Sequence, residues 1–244
     1  MMEEQILFTG GSGLLGGEVR QLIPNAHYPN SSKFDITNYQ LMQDFLKGKT
    51  IKQIIHAAAF TSPPLIDKAP EKAINVNIIG TGNIVKLCMA NHIRLVYIST
   101  DYVFKGEQGN YKENAPVNPV NKYAWSKLGG ECAVKMYDNA LIIRTSFGPN
   151  EFPFPKAFID QWTSRESVKQ IAKKIVALVD KDITGIVHVG GQRRTVYEYA
   201  RNLDESKDIA ELSVNEVSFA VPKDTSLDCC YYQDIMASTP QETN

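Results

Sequence analysis

Cysteine is scarce in this sequence, and the few cysteines form no pattern. Among 244 residues they are Cys88, Cys132, Cys229 and Cys230. None stands in a Cys-x-x-Cys or other metal-ligand spacing, which argues against a cysteine-built metal site, and no metal is expected. Reduced thiols of a cytoplasmic protein are the reading that remains. An excess of charge of one sign is lacking too. Lys and Arg number 26 against 27 Asp and Glu, a net charge of −1. That leaves no electrostatic case for nucleic acid or an anionic membrane as partner. No apolar run approaches the roughly 20 residues of a membrane span. The first residues, Met1-Met2-Glu3-Glu4-Gln5, are acidic and lack the basic-then-apolar layout of a secretory leader. Histidines are single and scattered. His56 and His188 sit in apolar, strand-like runs and read as strand-end or core residues, not ligands. Lys173-Lys174 and Arg193-Arg194 read as solvated surface charge.

What the chain does have is well-placed glycine. Gln5-Ile6-Leu7-Phe8-Thr9 has β character and leads into Gly10-Gly11-Ser12-Gly13-Leu14-Leu15-Gly16-Gly17, then a helical pattern through Leu22. Gly11, Gly13 and Gly16 fit GxGxxG; Gly10, Gly13 and Gly16 fit GxxGxxG. In either frame a strand ends in a tight turn and the backbone can approach a pyrophosphate. A helix N-terminus then faces the anion. Glycine-rich loops also serve as plain turns; the placement between strand and helix is what favours a dinucleotide. The next strand, near Ala26-His27-Tyr28, is poorly marked. Its tip, Pro29-Asn30-Ser31-Ser32-Lys33, offers hydroxyls and a cation, with no carboxylate before Asp35. An NAD site places an acid about 20 residues past the glycines. The tip therefore favours a 2′-phosphate and NADP(H), with NAD(H) still open. A solvated loop reads nearly as well, and Asp35 can instead face the adenine.

Beyond this point strands and helices alternate. Thr37 or Asn38 can cap a helix through Leu46. Ile51 to His56 is a strand ending in Ala57-Ala58-Ala59, small residues beside which a cofactor can lie. Glu71 to Asn91 reads as one long helix, with Ala73, Val76, Ile79, Ile84, Leu87 and Cys88 in phase. Asn77 inside it either points at the site or is a polar helix position. Ile93 to Ile98 is a buried strand ending in Ser99-Thr100; a helix runs from Tyr123 to about Tyr137; Leu141 to Arg144 is a strand ending in Thr145-Ser146-Phe147. Ser164 to Val179 reads as a helix, Ile186 to Val189 as a strand, Thr195 to Leu203 as a helix, and the tail after Pro222 is weakly patterned. The class is α/β: a Rossmann-type doubly wound parallel sheet covered on both faces. Residues 1–150 are expected to form the dinucleotide-binding domain. Residues 151–244 would supply the last sheet elements and a small, shortened substrate-binding portion. The glycine loop, Ala57–Ala59, Ser99–Thr100 and Thr145–Phe147 all fall at carboxyl ends of strands, where such sheets bind ligands.

Tyr123 and Lys127 are four residues apart and share one helix face. A free tyrosine, with a pKa of about 10, is a poor acid or base at neutral pH. A lysine one turn away, together with an oxidised nicotinamide, should lower it. Tyr123 can then pass a proton to a substrate oxygen while hydride arrives at the carbon. Thr100 would hold the same oxygen, and Lys127 would bond the nicotinamide ribose. Tyr-x-x-x-Lys alone is often an exposed helix pair; here it accompanies a strand ending in Ser-Thr and a dinucleotide loop.

These residues resemble the extended short-chain dehydrogenase/reductase family, and within it the dTDP-4-dehydrorhamnose reductase group. The matching pieces are Thr9 to Gly16, Phe34-Asp35-Ile36-Thr37, His56-Ala57-Ala58-Ala59-Phe60-Thr61, Asp67-Lys68-Ala69 and Ser99-Thr100-Asp101-Tyr102-Val103-Phe104. Asn118-Pro119, Tyr123 to Lys127 with Leu128-Gly129-Gly130-Glu131, and Arg144-Thr145-Ser146 complete them. The resemblance implies Thr100, Tyr123 and Lys127 as the catalytic set. It implies a cofactor site of Gly10, Gly11, Ser12, Gly13, Leu14, Leu15, Gly16, Ser31, Asp35, Ile36, Ala57, Ala58 and Ala59 with Tyr123 and Lys127. It places Tyr102 and Phe147 near the sugar nucleotide, where a tryptophan is more usual than Phe147.

The departures lie further along. Asp160-Gln161-Trp162-Thr163-Ser164 resembles the family's DQxGSPT segment, but Thr163 replaces the glycine and Arg165 stands at the proline. The segment also arrives early, without the helix and strand that usually precede it. Pro63-Pro64 is a minor interruption, and Val221 replaces the arginine of an RPxxSxLD-like segment, Pro222 to Asp228. The resemblance implies an NADP(H)-preferring reductase of a 4-keto nucleotide-sugar, as in dTDP-rhamnose biosynthesis, for which a homodimer is compatible. Two other readings stand. One is a dinucleotide-binding regulatory subunit like the β subunit of methionine adenosyltransferase, favoured by the trimmed region and opposed by the intact trio. The other is an extended-family epimerase, which recycles its cofactor.

Overall fold

The computed structural model describes residues 2–217 and 221–238. Five short strands build its centre: β1 (Ile6–Thr9), β2 (Gln53–His56), β3 (Arg94–Thr100), β4 (Ala140–Thr145) and β5 (Gly185–Val189). They lie side by side in that order, each pair parallel. Nearly every strand residue is buried, because both faces are covered and successive side chains go to opposite layers. Phe8, Ile55, Val96, Ile98, Ile143 and Val187 pack under the helices Leu14–Leu22 and Val168–Val179. Leu7, Ile54, Leu95, Tyr97 and Ile142 pack on the other face, with Met42, Ile84 and Val134 from the helices Tyr39–Leu46, Thr81–Asn91 and Lys122–Val134. Asn38, not Thr37, caps the Tyr39 helix by accepting from Leu41 N.

The weakly marked second strand shrinks to one bridge between Leu7 and His27. Phe8 N donates to His27 O and His27 N to Ile6 O, both at 2.8 Å. Pro24 and Pro29 bracket the segment and leave it no room to extend a ladder. β1 thus lies between the segment the chain visits next and β2, which it visits after. The order of the sheet reverses at β1, and the crevice outside the carboxyl ends there is where such sheets bind ligands.

The long helix expected over Glu71–Asn91 is present, running Pro70–Asn91, but its phase changes within it. A π-helical stretch, Ile74–Gly80, separates the α-helical Pro70–Ala73 from Thr81–Asn91. Its wider turn brings Asn77, Gly80 and Thr81 inward and leaves Ile79 half exposed, contrary to the inward position expected for Ile79. By length and composition alone this helix is long and apolar enough to cross a membrane, a test that the core helix of a globular domain also passes. Here its Ile84, Val85, Leu87 and Cys88 are buried against the sheet, as in a core helix.

The second half of the chain adds β5, a small core of Phe152, Ala157, Val196, Tyr199, Ala200 and Ile209, and a closing segment. The helix expected from Ser164 begins only at Val168. Ser167 caps it, accepting from Gln170 N, while Glu166–Ser167 pairs with Phe147–Gly148. The helix expected from Thr195 runs Val196–Leu203 behind a capping box of Thr195 and Glu198. The weakly patterned tail holds a buried turn, Asp224 to Leu227, and a helix, Cys230–Ala237.

Candidate active site

The glycine loop is shaped by contacts within the protein at two positions. Gly10 follows β1 with φ of +82°, and a Cβ there would lie 2.8 Å from Ala58 N. A Cβ on Gly16 would lie 2.5 Å from Gly10 O. Gly13 differs: a Cβ there would meet nothing nearer than 3.4 Å, so the protein alone does not require the glycine. Gly13 precedes the Leu14–Leu22 helix, whose first turn has no side-chain cap. Its N–H groups are therefore available to an anion. Ser12 and Leu14 are exposed, and Leu15 is buried as the loop's anchor. Gly11 lies against Tyr28 and Arg20, whose guanidinium sits 4.6 Å from the Tyr28 ring centroid.

The neighbouring strand end is held by a buried relay. Thr9 Oγ1 accepts from Ala58 N at 3.2 Å and meets His56 Nδ1 at 2.7 Å; His56 Nε2 meets Thr81 Oγ1 at 3.0 Å. Burial, aided by the charge of Lys127, brings the His56 pKa down to about 3. His56 is thus a neutral linking residue between β1, β2 and the long helix. Ala57, Ala58 and Ala59 follow it, partly exposed. At the far end of the crevice Ser31 and Lys33 are exposed. Asp35 accepts from Thr37 N and Thr37 Oγ1, so its carboxylate shapes the turn, and Ile36 is buried.

The predicted trio comes together at the end of β3. Asn121 caps the Lys122–Val134 helix, accepting from Ala124 N at 2.8 Å. That seats Tyr123 in the first turn, its hydroxyl in hydrogen-bonding reach of Thr100 and its ring edge-on to Tyr102 at 6.5 Å. Burial raises the Tyr123 pKa, the Thr100 contact opposes the rise, and the nearby Asp101 adds to it. Lys127 is buried, donates from Nζ to Ile98 O at 2.8 Å and lies 4.2 Å over the Tyr97 ring. Burial lowers its pKa to about 7, against the attraction of Glu131. The expected coupling therefore takes a different form. Lys127 is not among the groups setting the Tyr123 pKa, because its ammonium is turned toward the strand carbonyl and the Tyr97 face. The phenol is raised, not lowered, and is a proton donor at neutral pH.

Asn77 resolves toward the site's framework. It accepts from Phe60 N at 2.7 Å and donates to Phe60 O at 2.9 Å and Ser126 Oγ at 2.8 Å. Ser126 Oγ donates to Tyr123 O. Asn77 thus ties the loop after β2 to the turn carrying Tyr123, and the π-helical stretch brings it inward; such stretches are frequent at functional sites. One turn beyond Lys127, Glu131 receives Arg144 Nη2 at 2.9 Å, Arg144 Nε at 3.1 Å and Ser99 Oγ at 2.5 Å.

The substrate side draws on residues far apart in sequence. Asp101 is buried and accepts from Thr100 Oγ1 at 3.1 Å and Thr225 Oγ1 at 2.7 Å. Burial raises its pKa; Thr225, Arg165 and Thr100 oppose the rise. Phe147 is half-buried and paired with Glu166. Asp101, Thr225 and Arg165 were not assigned from sequence; the STDYVF block was the only local signal for Asp101. The expected solvated basic pairs are partly engaged. Arg193 stacks 3.9 Å over Trp162 and bonds Asp224 at 2.7 Å, Arg194 pairs with Glu166 at 3.0 Å, and Lys174 donates to Gly190 O at 2.6 Å. Their acceptors come from distant segments, which spacing could not show. Among the described residues no cluster of His, Cys, Asp and Glu is placed to hold a metal.

Known proteins resemble this chain in sequence and fold. The chain is 29% identical over 223 residues to the dTDP-4-keto-6-deoxy-D-glucose reductase of Streptomyces niveus, covering 82% of this chain and 77% of that one. A solved structure of a hypothetical dTDP-4-dehydrorhamnose reductase from Sulfolobus tokodaii superposes with a TM-score of 0.84 at 34% identity, over 95% of this chain and 94% of that one. The dTDP-4-dehydrorhamnose reductase of Bacillus anthracis, solved with NADP, superposes at 0.85 with 25% identity, over 99% and 94%. The model of the RmlD substrate binding domain matches residues 4–226, which take in the glycine loop, the trio and Thr225, and the chain belongs to that family.

Proposed function

We propose that the protein is an NADPH-dependent reductase of a 4-keto nucleotide-sugar, of the dTDP-4-dehydro-6-deoxyhexose type. The observation that carries this is Tyr123: a half-buried phenol kept protonated, in reach of Thr100, at the carboxyl edge that also bears the glycine loop. Ketone reduction needs a proton donor at the oxygen, and a tyrosine with a raised pKa is in the right state to give one. The bound dihydronicotinamide supplies the hydride. Thr100 and Tyr123 orient the carbonyl oxygen, and Lys127, one turn along the same helix, holds the ribose side. Tyr102 and Phe147 line the sugar. Preference for NADPH is supported by the exposed Ser31-Ser32-Lys33 tip, by Arg20 beside Gly11, and by the NADP complex of the Bacillus anthracis relative. A homodimer is supported by Leu65, Ile74, Ile79 and Trp125, all exposed.

The test is a panel of nucleotide-4-ketosugars with NADPH and NADH, followed at the nicotinamide absorbance. NADPH consumption is expected, and Tyr123→Phe should lower kcat about 10²- to 10⁴-fold while leaving cofactor affinity unchanged. Isomerised product without net consumption would establish an epimerase instead. Ligand binding with no turnover would establish the regulatory reading.

A further inference from the structure

Among the described residues, Arg165 is the arginine near the trio whose guanidinium is bound to neither a carboxylate nor a carbonyl. The others are placed. Arg144 has Glu131, Arg193 has Asp224 and Arg194 has Glu166. Among the described residues no carboxylate forms an ion pair with Arg165, and its Nε is buried with no hydrogen-bond partner. Its main chain is fixed independently of the side chain. Arg165 N donates to Thr163 Oγ1 at 3.0 Å, Arg165 O accepts from Arg194 Nη2 at 3.1 Å, and the following Glu166 N donates to Ser146 O at 3.2 Å. This lays the segment across the exit of β4, whose Thr145 is paired with Thr100. The side chain passes Gly148, where a Cβ would lie 3.6 Å from Arg165 Cδ. Its head reaches the Tyr102 hydroxyl and the field of Asp101, two residues bordering the proton donor.

A half-buried guanidinium with an unpartnered Nε and no ion pair, in the wall where the substrate must lie, is costly unless something anionic completes it. We infer that Arg165 is a specificity-determining residue that binds an anionic oxygen group of the nucleotide-sugar, either a phosphate of its diphosphate or a carboxylate on the sugar. The inference rests on the nucleotide-sugar reading above and narrows it. Arginine suits either anion, since its planar fork matches both geometries.

Binding, not turnover, tests it. UDP, UDP-glucose and UDP-glucuronate, with their thymidine counterparts, are titrated calorimetrically into the wild-type protein, Arg165→Gln and Arg165→Lys, with NADPH bound. Arg165→Gln is expected to weaken binding at least about tenfold, as for loss of a hydrogen bond to a charged group. Arg165→Lys should recover part of it, with NADPH affinity and melting temperature unchanged. Weakening already seen with the bare nucleoside diphosphate assigns the phosphate. Weakening confined to the glucuronate assigns the sugar carboxylate. Equal affinities for wild type and Arg165→Gln overturn the inference. So does a Lys variant as weak as Gln with a lowered melting temperature, which would make the side chain structural. Wild-type protein that binds none of the probes would overturn the nucleotide-sugar reading itself, a separate failure.

Discussion

Glu131 and Lys127 lie one turn apart on the same helix, both buried, and they are treated in opposite ways. Glu131 accepts from Arg144 and Ser99, so its charge is fully matched. Lys127 has one carbonyl and an aromatic face, and burial pulls its pKa to about 7. A matched buried charge holds the scaffold in register. An undermatched one is kept at a cost, and such groups collect at functional sites. The contrast sets a charge matched within the fold against one left undermatched, within a single helix.

The sharpest way to break that comparison is Glu131→Ala. It leaves Arg144 buried and unpaired, and should cost about 3–5 kcal/mol in urea unfolding. Replacing both partners with apolar residues should cost much less; an equal loss would mean that volume, not charge matching, is what matters. Lys127→Met should do the reverse. Turnover is expected to fall about a hundredfold, while stability at pH 7 does not fall, because a poorly matched cation has been removed. A substantial drop in stability would place Lys127 with Glu131. A pH series sharpens this. Between about 7 and the ordinary lysine value of 10.5 the unfolded chain binds one more proton than the folded one at Lys127. Wild-type stability should therefore rise with pH across that window, relative to Lys127→Met. A flat difference would show that the lysine stays charged when folded. The smallest effect belongs to a cap remote from both residues. Thr195→Ala should cost about 1 kcal/mol, with no change in kcat.

Much of this was legible in the chain. The five sheet strands are short apolar runs, and burial on both faces needs little else to specify them. Thr100, Tyr123 and Lys127 were legible because helical spacing and a strand end are local properties. The direction of the Lys127 ammonium was not, since it depends on Ile98 O and Tyr97 across the sheet layer. The π-helical stretch was missed for a similar reason. Asn77 is turned inward toward Phe60 and Ser126, which lie 17 and 49 residues away. Arg193 and Arg194 looked solvated because their partners, Asp224 and Glu166, lie about thirty residues away in opposite directions.

By itself, then, the sequence determined what short-range chemistry dictates: the glycine turn, the strands and the placing of a phenol and an ammonium on one helical face. Tertiary structure decided what each buried group faces. It left Tyr123 protonated beside Thr100, turned Lys127 to the strand, matched Glu131 with Arg144, and brought Thr225 and Arg165 to the edge of β3 and β4. Burial and pairing set the energy of a charge, and both depend on neighbours distant along the chain.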